Sequence, residues 1–166
     1  MHRVILISLV ITSALLPAWL FAESNHAKGL LTVDGKPLTI TQAYAFAQKG
    51  FFDPTKDDVV VLLCDATVSP EAVRDPFARR DLVTAGKLHC VQQTINSEHQ
   101  VINFKVEDSH FKMPETGGST EQVFEPKDFA ATNISGRAFT KSPQKSFDDV
   151  PYTYDITFNA TIEPKK

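Results

Sequence analysis

The sequence predicts a mainly β protein, an antiparallel β-sandwich or an open barrel that carries a short helical insert at about residues 70–85. Three patterns carry that expectation. Tyr152, Tyr154, Ile156, Phe158, Ala160 and Ile162 alternate with Thr153, Asp155, Thr157, Asn159 and Thr161, the period-2 signature of a strand with one face in a core and one in water. Residues 59–64 form an unbroken apolar run rich in β-branched side chains, which fits a central strand covered on both faces. Between the strands, Ser69-Pro70-Glu71 and Asp75-Pro76-Phe77 each set a capping residue before a proline suited to the first helical position, and Gly86 offers a C-terminal stop.

In chain order, Leu30-Leu31-Thr32-Val33 and Leu38-Thr39-Ile40-Thr41 flank Asp34-Gly35, a turn pair that favours a tight hairpin. Alternation in the second run places Leu38, Ile40, Gln42, Tyr44 and Phe46 on one face. Residues 53–58 read as a turn in which Asp57 and Asp58 are solvated, and Asp148-Asp149 reads the same way. The insert divides into helical pieces at about 70–74 and 76–85. Residues 88–95 and 101–107 flank the polar connection 96–100 and predict one hairpin. Residues 114–120, with Gly117-Gly118, form a loop; further strands are expected at 122–124 and 135–140, for eight or nine in all.

The N-terminal region carries an address. His2-Arg3 is followed by an uncharged apolar run over residues 4–21, with Pro17 near its end and Ala22 before polar Glu23-Ser24-Asn25. This predicts a signal peptide over 1–22, cleaved after Ala22, and a single β-rich globular domain over 23–166. An uncleaved anchor is the alternative, but the helix-breaking proline and the small residue stand where processing needs them. The expected location is periplasmic or secreted, with no membrane span in the mature chain. At 42% hydrophobic and 22% charged the composition is that of a folded domain, and a net charge of −3 argues against nucleic acid or an anionic membrane as partner, since such binding relies on clustered Lys and Arg.

Cys64 and Cys90 are an even pair in an oxidising compartment, where a disulfide is the usual outcome. Two buried thiols or thiolate metal ligands are the alternatives, and the lack of any C-x-x-C spacing argues against a redox or zinc-ribbon site. His89 and His110 with Asp65 and Asp108 are the candidate metal ligands, should the strands near residues 59–65, 88–95 and 101–108 be neighbours. Otherwise these are surface or hydrogen-bonded structural histidines. His26 lies fourth from the expected new N-terminus, which places it poorly for copper or nickel binding with the terminal amine. Arg79-Arg80 with Lys87 reads as a solvated helix face or a small anion site. There is no G-x-S-x-G and no thiol-protease pattern, and Gly117-Gly118 lacks the lysine of a phosphate loop. Asn133-Ile134-Ser135 and Asn159-Ala160-Thr161 match the glycosylation sequon, of consequence only in a eukaryotic host.

The run Val60-Val61-Leu62-Leu63-Cys64-Asp65, the segment Ala85-Gly86-Lys87-Leu88-His89-Cys90-Val91, and then Ile134-Ser135-Gly136-Arg137-Ala138-Phe139-Thr140 and Tyr154-Asp155-Ile156-Thr157-Phe158 resemble a group of uncharacterised exported bacterial single-domain proteins. The resemblance implies a bacterial envelope address and brings no activity, cofactor or catalytic residue. Taken together, the expectation is an exported domain that binds without catalysis and without a cofactor, its partner an envelope protein or a small apolar ligand held in a barrel mouth. A hydrolase whose residues converge only in three dimensions and a metal-binding envelope protein are the alternatives. Intact mass of protein recovered from the exported fraction should match a chain beginning at Glu23; a full-length, membrane-anchored species would overturn the cleavage expectation.

Overall fold

The computed structural model describes residues 25–165, so the expected signal peptide and its cleavage site lie outside the described residues. Strand β1 (His26–Val33) turns through Asp34 and Gly35, both with positive φ, into the long β2 (Lys36–Lys49). That backbone is what a two-residue hairpin with the right strand twist requires. Then come β3 (Asp57–Cys64), helices α1 (Pro70–Arg74) and α2 (Pro76–Thr84), and the hairpin β4 (Cys90–Ile95) and β5 (Val101–Glu107). The short β6 (Glu115–Gly117), β7 (Gln122–Phe129), β8 (Asn133–Thr140), the two-residue β9 (Gln144–Lys145) and β10 (Pro151–Glu163) complete the chain. The described residues thus hold ten strands, more than the expected eight or nine, because β6 and β9 are too short to leave a periodic pattern.

All the strands belong to one sheet, ordered β6-β5-β4-β3-β2-β1-β10-β8-β7 with β9 on β10. It is mostly antiparallel and curls into a half-barrel, the open form of the two expected architectures and not the sandwich. The one parallel contact, Ile162 and Glu163 against Ala45 and Phe46, forms where β1 has ended and its two neighbours meet directly. Two glycines allow the curl. A Cβ on Gly29 or Gly136 would collide with the backbone carbonyl oxygen of Asp155 or Glu125, so only glycine permits the close approach of β1 to β10 and of β8 to β7.

The concave face holds the main core, with Leu31, Ile40, Val61, Val91, Val106, Ile134 and Ile156 all nearly inaccessible. The alternating burial of β10 follows the sequence pattern along its length. Inside this core lies a polar chain. The amide nitrogen of Gln93 donates to the Tyr154 hydroxyl (3.0 Å) and to the Val123 carbonyl (3.2 Å), and Tyr154 donates to the Gln122 carbonyl oxygen (2.6 Å). Burial pushes the Tyr152 phenol up to about 12, aided by the Glu115 carboxylate and opposed by Gln122. Tyr154 is driven higher still, again mainly by burial. The barrel interior is therefore filled with side chains.

On the convex face, α1 and α2 cover β2, β3 and β4 through Val68, Ala72, Val73, Val83 and Leu88 packed on Phe46, Val60 and Leu62. Strand β3 is covered on both sides, as its composition predicts. The helices begin as the capping pattern requires: Ser69 accepts from the Ala72 amide at 3.3 Å, and Asp75 from the Phe77 amide at 2.8 Å. In β2 the expected single face is corrected. Leu38 and Ile40 face the concave core, but Ala43 and Ala45 continue it, while Tyr44 and Phe46 pack beneath the helices. The phase changes where the β1–β2 register is irregular, between His26 and Gly29. Asp57 and Asp58 are strand residues, and Asp58 is buried with its carboxylate accepting from the Phe51 amide at 2.9 Å. Cys64 and Cys90 face each other across β3 and β4 with Cα atoms 4.3 Å apart and are joined as a disulfide. For a separation of 26 residues the chain-entropy model assigns such a link about 3.5 kcal/mol.

Arg79 is not on a solvated face. Its side chain is inaccessible, and the guanidinium donates to Glu107 (2.5 Å), to the Ala72 carbonyl (2.8 Å) and to Gln92 (3.0 Å). One side chain of α2 thereby grips the last turn of α1, β4 and β5. Arg79→Met is expected to lower the unfolding free energy by about 3–5 kcal/mol, because it strands the buried Glu107 carboxylate. Pairing it with Glu107→Leu should recover most of that loss. Denaturant titration measures both, and a loss under about 1 kcal/mol in the single variant would show that the pair does not hold the insert.

Candidate functional site

The sheet register explains how the four candidate residues meet. Cys64, Cys90 and Glu107 form one row across β3, β4 and β5, so Asp65, His89 and Asp108 fall one step beyond it at the same end of the sheet. Asp65 takes the His89 backbone amide on one oxygen (2.9 Å) and the ring Nδ1 on the other (2.6 Å). The far nitrogen of His89, Nε2, lies 3.8 Å from Asp108 Oδ2, beyond hydrogen-bond reach. Asp108 is fully buried, and that oxygen has no hydrogen-bond partner. Its other oxygen accepts the His110 amide (2.7 Å) and ring Nδ1 (2.6 Å). The exposed end of the chain is His110 Nε2, 3.2 Å from Lys36 Nζ in the β1–β2 hairpin.

Two aspartate–imidazole pairs are thus linked in series, and the convergence of His89, His110, Asp65 and Asp108 is real. Among the described residues, no group of three or more His, Cys, Asp or Glu side chains is arranged to hold a metal ion. Each Nδ1 is occupied by a carboxylate, which would leave two atoms, His89 Nε2 and Asp108 Oδ2, facing one another as donors. Among the described residues no hydroxyl is hydrogen-bonded to either ring, and both cysteines are in the disulfide. The arrangement provides bases without a nucleophile. His26 opens β1 away from this cluster, opposite Asn159 and Gln42.

The main structural consequence of the cluster is to anchor residues 108–114, which run over one end of the barrel. Phe111 is buried there against Tyr152, ring centroids 5.9 Å apart. The Lys112 amide donates to Asp148 at 2.8 Å and holds that carboxyl below its ordinary range, and the Phe147 amide donates to Glu115 at 3.0 Å. This closes the barrel end where a ligand was expected. Phe111 fills this end, and a hollow of about 640 Å³ lies elsewhere between Val101 and Ile102 of β5 and Val123 and Phe124 of β7.

Among the hollows of the surface, the most enclosed lies beside α2. A cleft of about 490 Å³ runs between α2, which contributes Pro76, Phe77, Arg80, Val83 and Thr84, and the facing end of β5 with its loop, which contributes Lys105, Glu107, Asp108, Ser109, Phe111, Lys112 and Pro114. Phe77 stands 78% exposed at the edge of this cleft. Arg79 and the Asp108–His110 pair position its two walls, yet sequence reasoning missed the cleft. The one available signal was that Arg79 and Val83 lie four residues apart on α2, on the same buried face.

No family model, curated protein or solved structure matches the chain. The functional reading rests on the cleft and the cluster behind it.

Removing the anchor should loosen the loop. Asp108→Ala is expected to cost about 1.5–3 kcal/mol, from the lost charge-assisted bonds to His110, and to speed amide exchange at His110 and Phe111 well beyond that of β3. Exchange unchanged at these two amides would mean that the cluster does not position the loop.

Proposed function

We propose that the chain is an exported binding module, not a catalyst, which takes a small and largely apolar molecule into the cleft between α2 and residues 108–114. The observation that carries this is the pairing of a filled barrel interior with a cleft of about 490 Å³ walled by Pro76, Phe77, Val83, Phe111 and Pro114. That volume falls in the usual range for small-molecule sites, which are mostly apolar with a few placed polar groups. The large exposure of Phe77 supports it, since an aromatic side chain left in water beside an apolar cleft gains burial when the cleft is filled. Export is supported by the Cys64–Cys90 disulfide, by the apolar run at residues 4–21, and by the resemblance to exported bacterial proteins. No helix among the described residues is long and apolar enough to cross a membrane. An envelope protein that seats an apolar side chain in the same cleft is the alternative occupant.

A second reading, hydrolysis, is favoured by the Asp65–His89 and Asp108–His110 pairs, which orient imidazoles as general bases do. The nearest hydroxyl in the cleft, Ser109, is not hydrogen-bonded to either ring, so the binding reading stands first.

The test uses N-phenyl-1-naphthylamine, an uncharged fluorophore that brightens on leaving water. Wild type is expected to enhance its fluorescence saturably at one site per chain. Thr84→Trp, which fills the cleft from an exposed helix position, should abolish the signal without lowering the melting temperature. No saturable signal, or an undiminished signal in the Thr84 variant, would overturn the proposal.

A further inference from the structure

We infer that the molecule held in this cleft is an amphipathic monoanion, a free molecule with an apolar body and one carboxylate-like head, and that Lys105 receives the head. The inference rests on the cleft reading above and specifies its ligand.

The charges along the β5 wall are unequally available. Glu107 and Asp108 lie on it, but both carboxylates are turned inward, with side-chain exposures of 4% and 0%. Glu107 is held by Arg79, and Asp108 by His110. Both line the cleft with their carboxylates nearly inaccessible. Lys105 is more open: its side chain is 22% exposed, and its ammonium lies 4.0 Å from the second oxygen of Glu107, too far for a hydrogen bond. It makes no hydrogen bond to any described residue. Two cations, Arg79 and Lys105, thus share the single Glu107 carboxylate, the hydrogen bond goes to Arg79, and the Lys105 ammonium keeps its donors for a bound anion. An alcohol would match those donors partly and a cation not at all.

The other two cations of the cleft differ. Arg80 reaches Asp81 at 3.6 Å and Lys112 reaches Asp148 at 3.2 Å, with 69% and 84% of their side chains in water. Exposed pairs of this kind contribute little to binding and mainly set the local potential. One cation less exposed than the other two suits one negative charge, and the apolar residues of α2 opposite suit a hydrocarbon or aromatic body. The head would sit against β5 and the body along α2.

Displacement of N-phenyl-1-naphthylamine by decanoate, decanol and decylammonium tests this, with wild type, Lys105→Met, Lys105→Arg and the distant Lys49→Met in parallel. Decanoate is expected to bind wild type about tenfold more tightly than the other two, the scale of one partly buried charge-assisted pair. Lys105→Met should erase that preference, chiefly by weakening decanoate. Lys105→Arg should keep it, and Lys49→Met should change nothing. Raising salt to about 0.5 M should narrow the wild-type preference only modestly, because a partly buried pair is poorly screened, and this readout needs no variant. Equal affinity for all three compounds, or a preference that survives Lys105→Met, would overturn the inference and leave the cleft reading intact. Failure of the fluorophore to bind at all would overturn both. Binding to phosphatidylglycerol vesicles in place of monomeric decanoate would refute a free ligand.

Discussion

Everything on the convex face depends on burying a guanidinium. An arginine removed from water is tolerated only when its donors are matched, and Arg79 meets that demand with acceptors from three different elements: the Ala72 carbonyl at the end of α1, Gln92 of β4 and Glu107 of β5. The hydrophobic contacts of Val73, Val83 and Leu88 give the helical insert adhesion to the sheet, but such contacts are non-directional. Arg79 supplies direction. Because its partners lie at fixed places, α2 sits at one angle and one distance from β5, and the space left between them is the cleft.

The other wall is held by the same kind of chemistry at the sheet end. The disulfide locks the last row of β3 and β4, and Asp65, His89 and Asp108 occupy the next row. Polar side chains on adjacent strands at one end of a sheet meet because strand register puts them there, not because they are near in sequence. The resulting chain of carboxylates and imidazoles carries residues 108–114 across the barrel end and lets Phe111 enter the core. The loop that closes the barrel is thus also the loop that makes the external cleft. That coupling explains why a barrel with a filled interior still presents a cavity.

A division of labour follows from these placements. The concave core is tied together by the Gln93–Tyr154–Gln122 hydrogen bonds, with the Gln93 carbonyl oxygen left without a partner. The convex side leaves Phe77 in water and Lys105 sharing the Glu107 carboxylate with Arg79. Both belong to the same cleft. His89 and His110, the residues most suggestive of chemistry in the sequence, are each held by an aspartate that also accepts the same histidine's backbone amide.

The strands, the two capped helices and the hairpins were readable in the sequence because they follow from local rules. Alternation in β10, the β-branched run of β3, the Asp34-Gly35 turn and the Ser69-Pro70 and Asp75-Pro76 caps each act within a few residues. The same locality explains the errors. The phase change in β2, the strand placement of Asp57 and Asp58, and the burial of Arg79 depend on partners far away in the chain, and a charged residue on a short helix reads as solvated until its acceptors are known. The sequence could name His89, His110, Asp65 and Asp108 as candidates for convergence, since each borders a predicted strand. Only the tertiary structure decided that they meet, that each Nδ1 is taken by a carboxylate, and that the usable cavity lies between α2 and β5, because cavities are made by the distances between elements and no single segment encodes a distance.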